Sequence, residues 1–224
     1  MAAAVSGVRV AALYDVHGMP TALEAVLTDV ERENVDAVVF GGDIFLGPLP
    51  RETYELVRSV DARYVRGNCE REPNDWVRES LGEDAVEWAR GWPTTVELDG
   101  VLYCHATPQS DEPILTDASP VERFAEALAD VDARLVVAGH THMQFRHGRW
   151  VNAGSVGMPY EDDVAAFWAL IGDDVEFRRT LFDVDRAIAE IEASGWPGGA
   201  DFVKENLLAA PSRKEATEYF ESLA

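Results

Sequence analysis

Five short apolar runs in the first two thirds of this 224-residue chain each end in a turn that carries a metal-type side chain. Residues 8–14 stop at Asp15-Val16-His17-Gly18, residues 38–40 at Gly41-Gly42-Asp43, and residues 64–66 at Gly67-Asn68-Cys69-Glu70. Residues 101–105 end in Cys104-His105, and residues 135–138 stop at Gly139-His140-Thr141-His142. Apolar runs this short, bounded by turn residues, read as buried strands. Between them apolar positions return at helical spacing, as Leu23, Val26, Leu27 and Val30 do after Pro20, which suits a first helical turn. Strand and helix in alternation predict an α/β fold, and loops at the carboxyl ends of strands in such a sheet converge on one crevice.

Elsewhere the pattern is plain in places and irregular in others. Pro48 and Pro50 enforce a loop before a helix carrying Tyr54, Leu56 and Val57, and residues 73–92 read as one helix. Asp99-Gly100 between residues 95–98 and 101–105 is a two-residue hairpin signal. Pro120 opens a further helix through Phe124, Ala127, Leu128 and Val131. Strand-like runs then follow quickly at 144–146, 150–153, 165–171 and 175–182, as an antiparallel meander forming a second sheet would. With no linker between the motifs, residues 1–224 are expected to form one domain, with a tail of short helices over 183–224.

Charge narrows the partners. Forty-one acidic against 19 basic residues give a formal net charge of -22, and the only lysines are Lys204 and Lys214. Such a surface suits a protein built for high salt, where counterions screen the carboxylates, and equally an acidic, arginine-preferring proteome. Long nucleic acids need clustered cations to displace phosphate counterions, and no basic run exceeds Arg178-Arg179, so none is expected as a partner. The amino-terminal residues 1–7 lack a basic region and a long apolar stretch, which implies no export signal. The longest apolar stretch, 164–172, is about half of what a membrane-spanning helix needs. Cys69 and Cys104 suggest no disulfide framework, and a cytoplasmic location is expected. The oligomeric state is not written in these patterns.

Asp15, His17, Asp43, Asn68, His105, His140 and His142 form a mixed oxygen and nitrogen ligand list too long for one tetrahedral ion, so two ions are the simpler reading. A carboxylate such as Asp43 can bridge two cations, and a pair about 3.5–4 Å apart can hold a phosphate oxygen, activate a water and stabilise charge during in-line displacement. Taken singly, Asp15 and Asp43 could be helix N-caps and His105 an ordinary core histidine; their joint placement at strand ends favours the metal reading. His147 has no such company and is expected on a solvent-facing turn. Trp76, Trp88 and Trp92 are expected to pack rather than to stack on a ligand, and Asn152 and Ser155 to support the ligands or to form a turn. Glu70 is open between orienting a neighbouring group and an idle surface carboxylate.

In order, Asp15-Val16-His17, Gly42-Asp43, Gly67-Asn68-Cys69-Glu70, His105 and Gly139-His140-Thr141-His142 resemble the motif set of the calcineurin-like metallophosphoesterases, in particular a small bacterial and archaeal phosphodiesterase-like branch. The segment 151–157 is similar to the smaller members as well. The resemblance implies a four-layer αββα sandwich with a dimetal site at strand carboxyl ends. It implies Asp15, His17, Asp43 and His142 on one ion and Asp43, Asn68, His105 and His140 on the other, with Asp43 as the bridge. The expected cofactors are two divalent transition-metal ions, drawn from Mn, Fe, Zn, Ni and Co with Mn favoured. The expected reaction is hydrolysis of a phosphodiester or another small phosphorylated molecule, with dinucleoside polyphosphates and phosphomonoesters as alternatives, and with Asn68, Cys69 and His105 at the chemistry. A different class, a protein-binding scaffold of the same fold, resembles one retromer subunit and would be expected to have lost ligands. Cys69 departs from the family pattern, where a His commonly donates a proton to the leaving group, and a neutral thiol is a poor match for that role.

Overall fold

The computed structural model describes residues 7–224; Met1 to Ser6, most of the segment read above for an export signal, lies outside the described residues. In chain order the elements are β1 (Val10–Leu13), α1 (Pro20–Arg32), β2 (Ala37–Phe40), α2 (Pro50–Arg58), β3 (Ala62–Tyr64), α3 (Asn68–Arg71), α4 (Asp75–Leu81) and α5 (Glu83–Arg90). There follow β4 (Thr95–Leu98), β5 (Val101–Cys104), α6 (Val121–Ala127), β6 (Leu135–Ala138), β7 (Gln144–His147), β8 (Trp150–Ala153), β9 (Ala166–Ile171) and β10 (Val175–Thr180). The tail is helical, as α7 (Val184–Ser194), α8 (Gly199–Phe202), a π-helical turn (Val203–Leu207) and α9 (Arg213–Leu223).

Two five-stranded mixed sheets, ordered β10-β9-β1-β2-β3 and β4-β5-β6-β8-β7, pack face to face. Val10, Ala12 and Tyr14 alternate inward with Val39, Tyr103, Val137, Val151 and Ala169 to fill the space between the sheets. The other face of β1, through Ala11 and Leu13, meets α1, α2, α4, α5 and the tail helices, while α6 covers the second sheet through Phe124 and Ala127. This is the αββα sandwich that the motifs imply. Burial on both faces explains why β1 and β6 read as unbroken apolar runs.

Two expectations need correcting. The later strands do not form one meander: β7 and β8 extend the sheet of β6, with β8 parallel to β6, whereas β9 joins the first sheet antiparallel to β1 and β10 pairs antiparallel to β9 at its edge. The 73–92 helix is two helices, broken at Gly82, whose φ of 79° lies in the left-handed region. The Asp99-Gly100 hairpin stands as read, with both residues at positive φ. Trp88 and Trp92 meet edge to face at 4.9 Å and pack with Tyr64. His147 ends β7 exposed, its ring stacked on Phe124 at 4.3 Å. Both cysteines are free and buried. Among the described residues, no helix is long and apolar enough to cross a membrane.

Candidate dimetal site

The turns after β1, β2, β3, β5 and β6 meet at one end of the sandwich, where the two sheets face each other. Asp15, His17 and His142 bring one ligand atom each to within 4.8 Å of one another, and Asp43, His105 and His140 form a second such set. Asn68 joins the second set, its Oδ1 lying 3.1 Å from His105 Nε2. All seven sequence-read residues are therefore together, and all but Asn68 and His140 are buried. Neither Asp15 nor Asp43 caps a helix, since α1 begins after Met19 and α2 after Leu49.

The turns are held in conformations that side chains other than glycine seldom adopt. Asp15, His17, Asp43, His140 and His142 have φ of 52°, 47°, 54°, 69° and 60°. Each such residue costs on the order of 1–3 kcal/mol, which persists only because the surroundings over-determine it. Gly18 and Gly42 share that region, at φ of 62° and 96°, whereas Gly67 and Gly139 serve a different purpose. A Cβ at Gly67 would collide with Asp43 Oδ1 and at Gly139 with Asp15 Oδ2, so these two glycines are absent side chains that let the carboxylates in.

Backbone carbonyls fix the four imidazoles. His17 Nδ1 donates to Leu46 O at 3.0 Å, His105 Nδ1 to Gly41 O at 3.0 Å, His142 Nδ1 to Met158 O at 2.7 Å and His140 Nε2 to Glu112 O at 3.1 Å. A carbonyl can only accept, so the opposite nitrogen of each ring is the one free to offer a lone pair. Those free nitrogens face each other in pairs, His17 Nε2 with His142 Nε2 at 3.1 Å and His105 Nε2 with His140 Nδ1 at 3.2 Å. Asp15 Oδ1 is buried beside the first pair without a hydrogen-bond partner. Buried carboxylates and imidazoles converging in this way fit a cation.

The electrostatics follow from this crowding. Burial pushes Asp15 and Asp43 up, but the neighbouring His142 and His105 outweigh it and both carboxyls end below the usual range. Burial lowers His17, and burial with the neighbouring His105 takes His140 down to about 4. His105 goes the other way, to about 10, because contact with Asp43 overcomes burial. Cys69 donates its thiol hydrogen to Asp43 Oδ2 at 3.0 Å, and burial together with the Asp43 charge holds the thiol far above its ordinary pKa.

Several residues support the ligand turns, Asn152 and Ser155 among them as the sequence suggests. Glu70 is buried, and its carboxylate accepts the backbone N–H groups of Asp43 and Ile44 at 2.8 Å and of Gly67 at 3.0 Å, tying the β2 and β3 turns together. Burial and the nearby Asp43 raise it to about 7. Its place three residues after Gly67, ready to reach back to that backbone, was the available signal. Asn152 and Ser155 act on the backbones of the ligand turns, Asn152 through Gly139 O at 2.6 Å and Thr141 Oγ1 at 2.9 Å, and Ser155 through Asp15 O at 2.7 Å. Tyr160 stacks on the His142 ring at 5.2 Å, and no sequence signal marked it.

Residues 8–171 match the calcineurin-like phosphoesterase superfamily domain. The chain belongs to that superfamily. A metallophosphoesterase from Sphaerobacter thermophilus superposes with a TM-score of 0.75 at 26% identity, covering 91% of this chain and 99% of that one. A hypothetical protein from Pyrococcus horikoshii OT3 superposes with a TM-score of 0.74 at 22% identity, over 88% and 97% of the two chains, a likeness of fold. An uncharacterized protein of Methanocaldococcus jannaschii is 23% identical over 233 aligned residues, 84% of this chain and 93% of its own length.

Proposed function

We propose that this chain is a dimetal phosphoesterase that hydrolyses phosphodiesters or other small phosphorylated molecules. The observation that carries the reading is the pair of convergent acceptor sets, with histidine nitrogens facing each other at 3.1 and 3.2 Å and a partnerless buried carboxylate oxygen beside them. Asp15, His17, Asp43 and His142 would hold one cation, and Asp43, Asn68, His105 and His140 the other, with Asp43 shared. The ion pair supplies Lewis-acid chemistry, holding phosphate oxygens and activating a water. Manganese leads the candidates, ahead of Fe, Zn, Ni and Co, all of which accept imidazole and carboxylate.

The chain's own residues define how the reaction is assisted. The carbonyl-anchored rings keep their lone pairs aimed inward, and Glu70 holds the two turns that carry Asp43 and Asn68. Cys69 keeps its proton and donates it in a hydrogen bond to Asp43, so no strong acid stands at that position to protonate a leaving group. Good leaving groups, as in aryl diesters and phosphoanhydrides, should therefore turn over faster than alkyl esters. The test strips the protein with a chelator, reloads it with each metal, and assays phosphodiesters, monoesters and dinucleoside polyphosphates. Restored turnover with two ions per chain is expected. Two bound ions without turnover on any ester would overturn the hydrolase reading in favour of a scaffold.

A further inference from the structure

The helix α9 lies beyond the matched superfamily residues and buries none of its side chains. Polar contacts at its two ends hold it in place. Arg213 donates to Glu161 Oε2 at 2.6 Å, Asp117 Oδ2 at 3.0 Å and Gln144 O at 3.0 Å, while Glu221 Oε1 accepts from Thr116 Oγ1 at 2.6 Å. Between these pins a row of rings runs outward from the site. His142 stacks on Tyr160 at 5.2 Å and 15°, Tyr160 meets Phe220 at 5.9 Å, and Phe220 meets Tyr219 at 6.0 Å. Tyr160, Tyr219 and Phe220 line a cavity of about 290 Å³ whose polar wall includes Ser212 and Glu215. Phe220 is half-buried against Tyr160 and Thr217 reaches the Met143 sulfur at 3.3 Å, whereas Tyr219 is 63% exposed and leaves its ring open to a ligand.

We propose that this cavity is a subsite for a nucleobase of the phosphorylated substrate, a reading that rests on the phosphoesterase assignment and names its substrate class. A base offers a planar face to stack on aromatic rings whatever its sequence identity. The volume sits at the small end of ligand cavities, which start near about 300 Å³, and suits one base rather than a whole nucleotide. None of the lining residues is cationic, and the Glu215 carboxylate would repel a phosphate while accepting a hydrogen bond from an exocyclic amine. The base therefore occupies the aromatic cavity while the phosphate lies toward His142, at the near end of the ring row.

Adenosine, which carries no phosphate, separates this subsite from the metal chemistry. Its binding to wild type, Tyr219→Ala, Phe220→Ala and Tyr219→Phe is measured by calorimetric titration. Loss of a stacked ring should weaken binding by about five- to hundredfold, and Tyr219→Phe should retain most of it. In parallel, the kcat/KM ratio of an adenosine-bearing phosphodiester over glycerophosphocholine should fall in the alanine variants, mainly through KM. If Phe220→Ala undocks α9, the exposed Tyr219→Ala position decides. Failure of adenosine to saturate wild type at millimolar concentration, or equal binding by wild type and both alanine variants, overturns the subsite. Absence of turnover on every ester with adenosine still bound would overturn the phosphoesterase reading alone.

Discussion

Asn152→Ala is the substitution whose cost can be worked most directly from the structure. Asn152 is 1% exposed, and both ends of its amide are engaged. Nδ2 donates to Gly139 O at 2.6 Å and Thr141 Oγ1 at 2.9 Å, and Oδ1 accepts from Gly154 N at 2.9 Å. Alanine removes all three bonds and leaves buried polar groups facing a small void. At about 0.5–1.5 kcal/mol per bond, with a further penalty for the stranded partners, the loss should total roughly 2–5 kcal/mol. That is a large share of the roughly 5–15 kcal/mol that keeps a domain folded. The same turn carries His140 and His142, one from each acceptor set, so both cations should bind more weakly together, by about 10–100-fold as for other residues that orient ligands. Urea unfolding of the chelated protein gives the first number, and competition with a chromophoric chelator gives the second. A stability loss below about 1 kcal/mol would refute the hydrogen-bond accounting. A full stability loss with unchanged metal affinity at both seats would refute the claim that Asn152 positions the histidines.

Asp43→Asn should abolish loading of two ions and turnover while leaving the fold intact; metal analysis showing two ions with normal turnover would remove Asp43 from the shared position. Cation loading should expel a proton from His105, which is held near 10 in the cation-free protein, so apparent affinity should rise with pH up to that value and fall in acid. Calorimetry in buffers of different ionisation enthalpy reads that release, and a value of zero at pH 7 would contradict it. Cys69→His should speed alkyl esters relative to aryl ones, by up to the roughly 10²–10⁴ typical of general acid catalysis, and an unchanged ratio with metals bound would place leaving-group protonation elsewhere. With a net charge of -22, the melting temperature should climb from low to molar salt as carboxylate repulsion is screened, and a flat or falling curve would dismiss the electrostatic argument.

The site was more legible than the sheets that carry it. Asp15, Asp43, His105 and the His140-Thr141-His142 turn stood out because polar, ligand-type residues interrupt apolar runs just where strands stop. Which sheet β9 joins was not legible, because its partner β1 lies far away in the chain and six consecutive buried residues fit any central position. The left-handed backbone falls on the ligands themselves as well as on Gly18 and Gly42; aspartate tolerates that region, so its sequence carries no warning. The carbonyls of Gly41, Leu46, Glu112 and Met158 that select each imidazole tautomer are backbone atoms, and no residue identity announces them. Glu70 could be read either way until its burial was known.

Each acceptor set straddles the seam of the sandwich. Asp15 and His17 follow β1 in one sheet and His142 follows β6 in the other; Asp43 follows β2, while His105 and His140 follow β5 and β6. A cation in either seat would thus rivet one sheet to the other between residues far apart in the chain, His17 and His142 being 125 positions apart. An ion that binds only the folded state adds its binding energy to the fold. Mechanically, the ions would clamp an end of the sandwich that is otherwise held by a few hydrogen bonds, such as Ser155 Oγ to Asp15 O and His105 Nδ1 to Gly41 O, so chelation should loosen the seam from that end first.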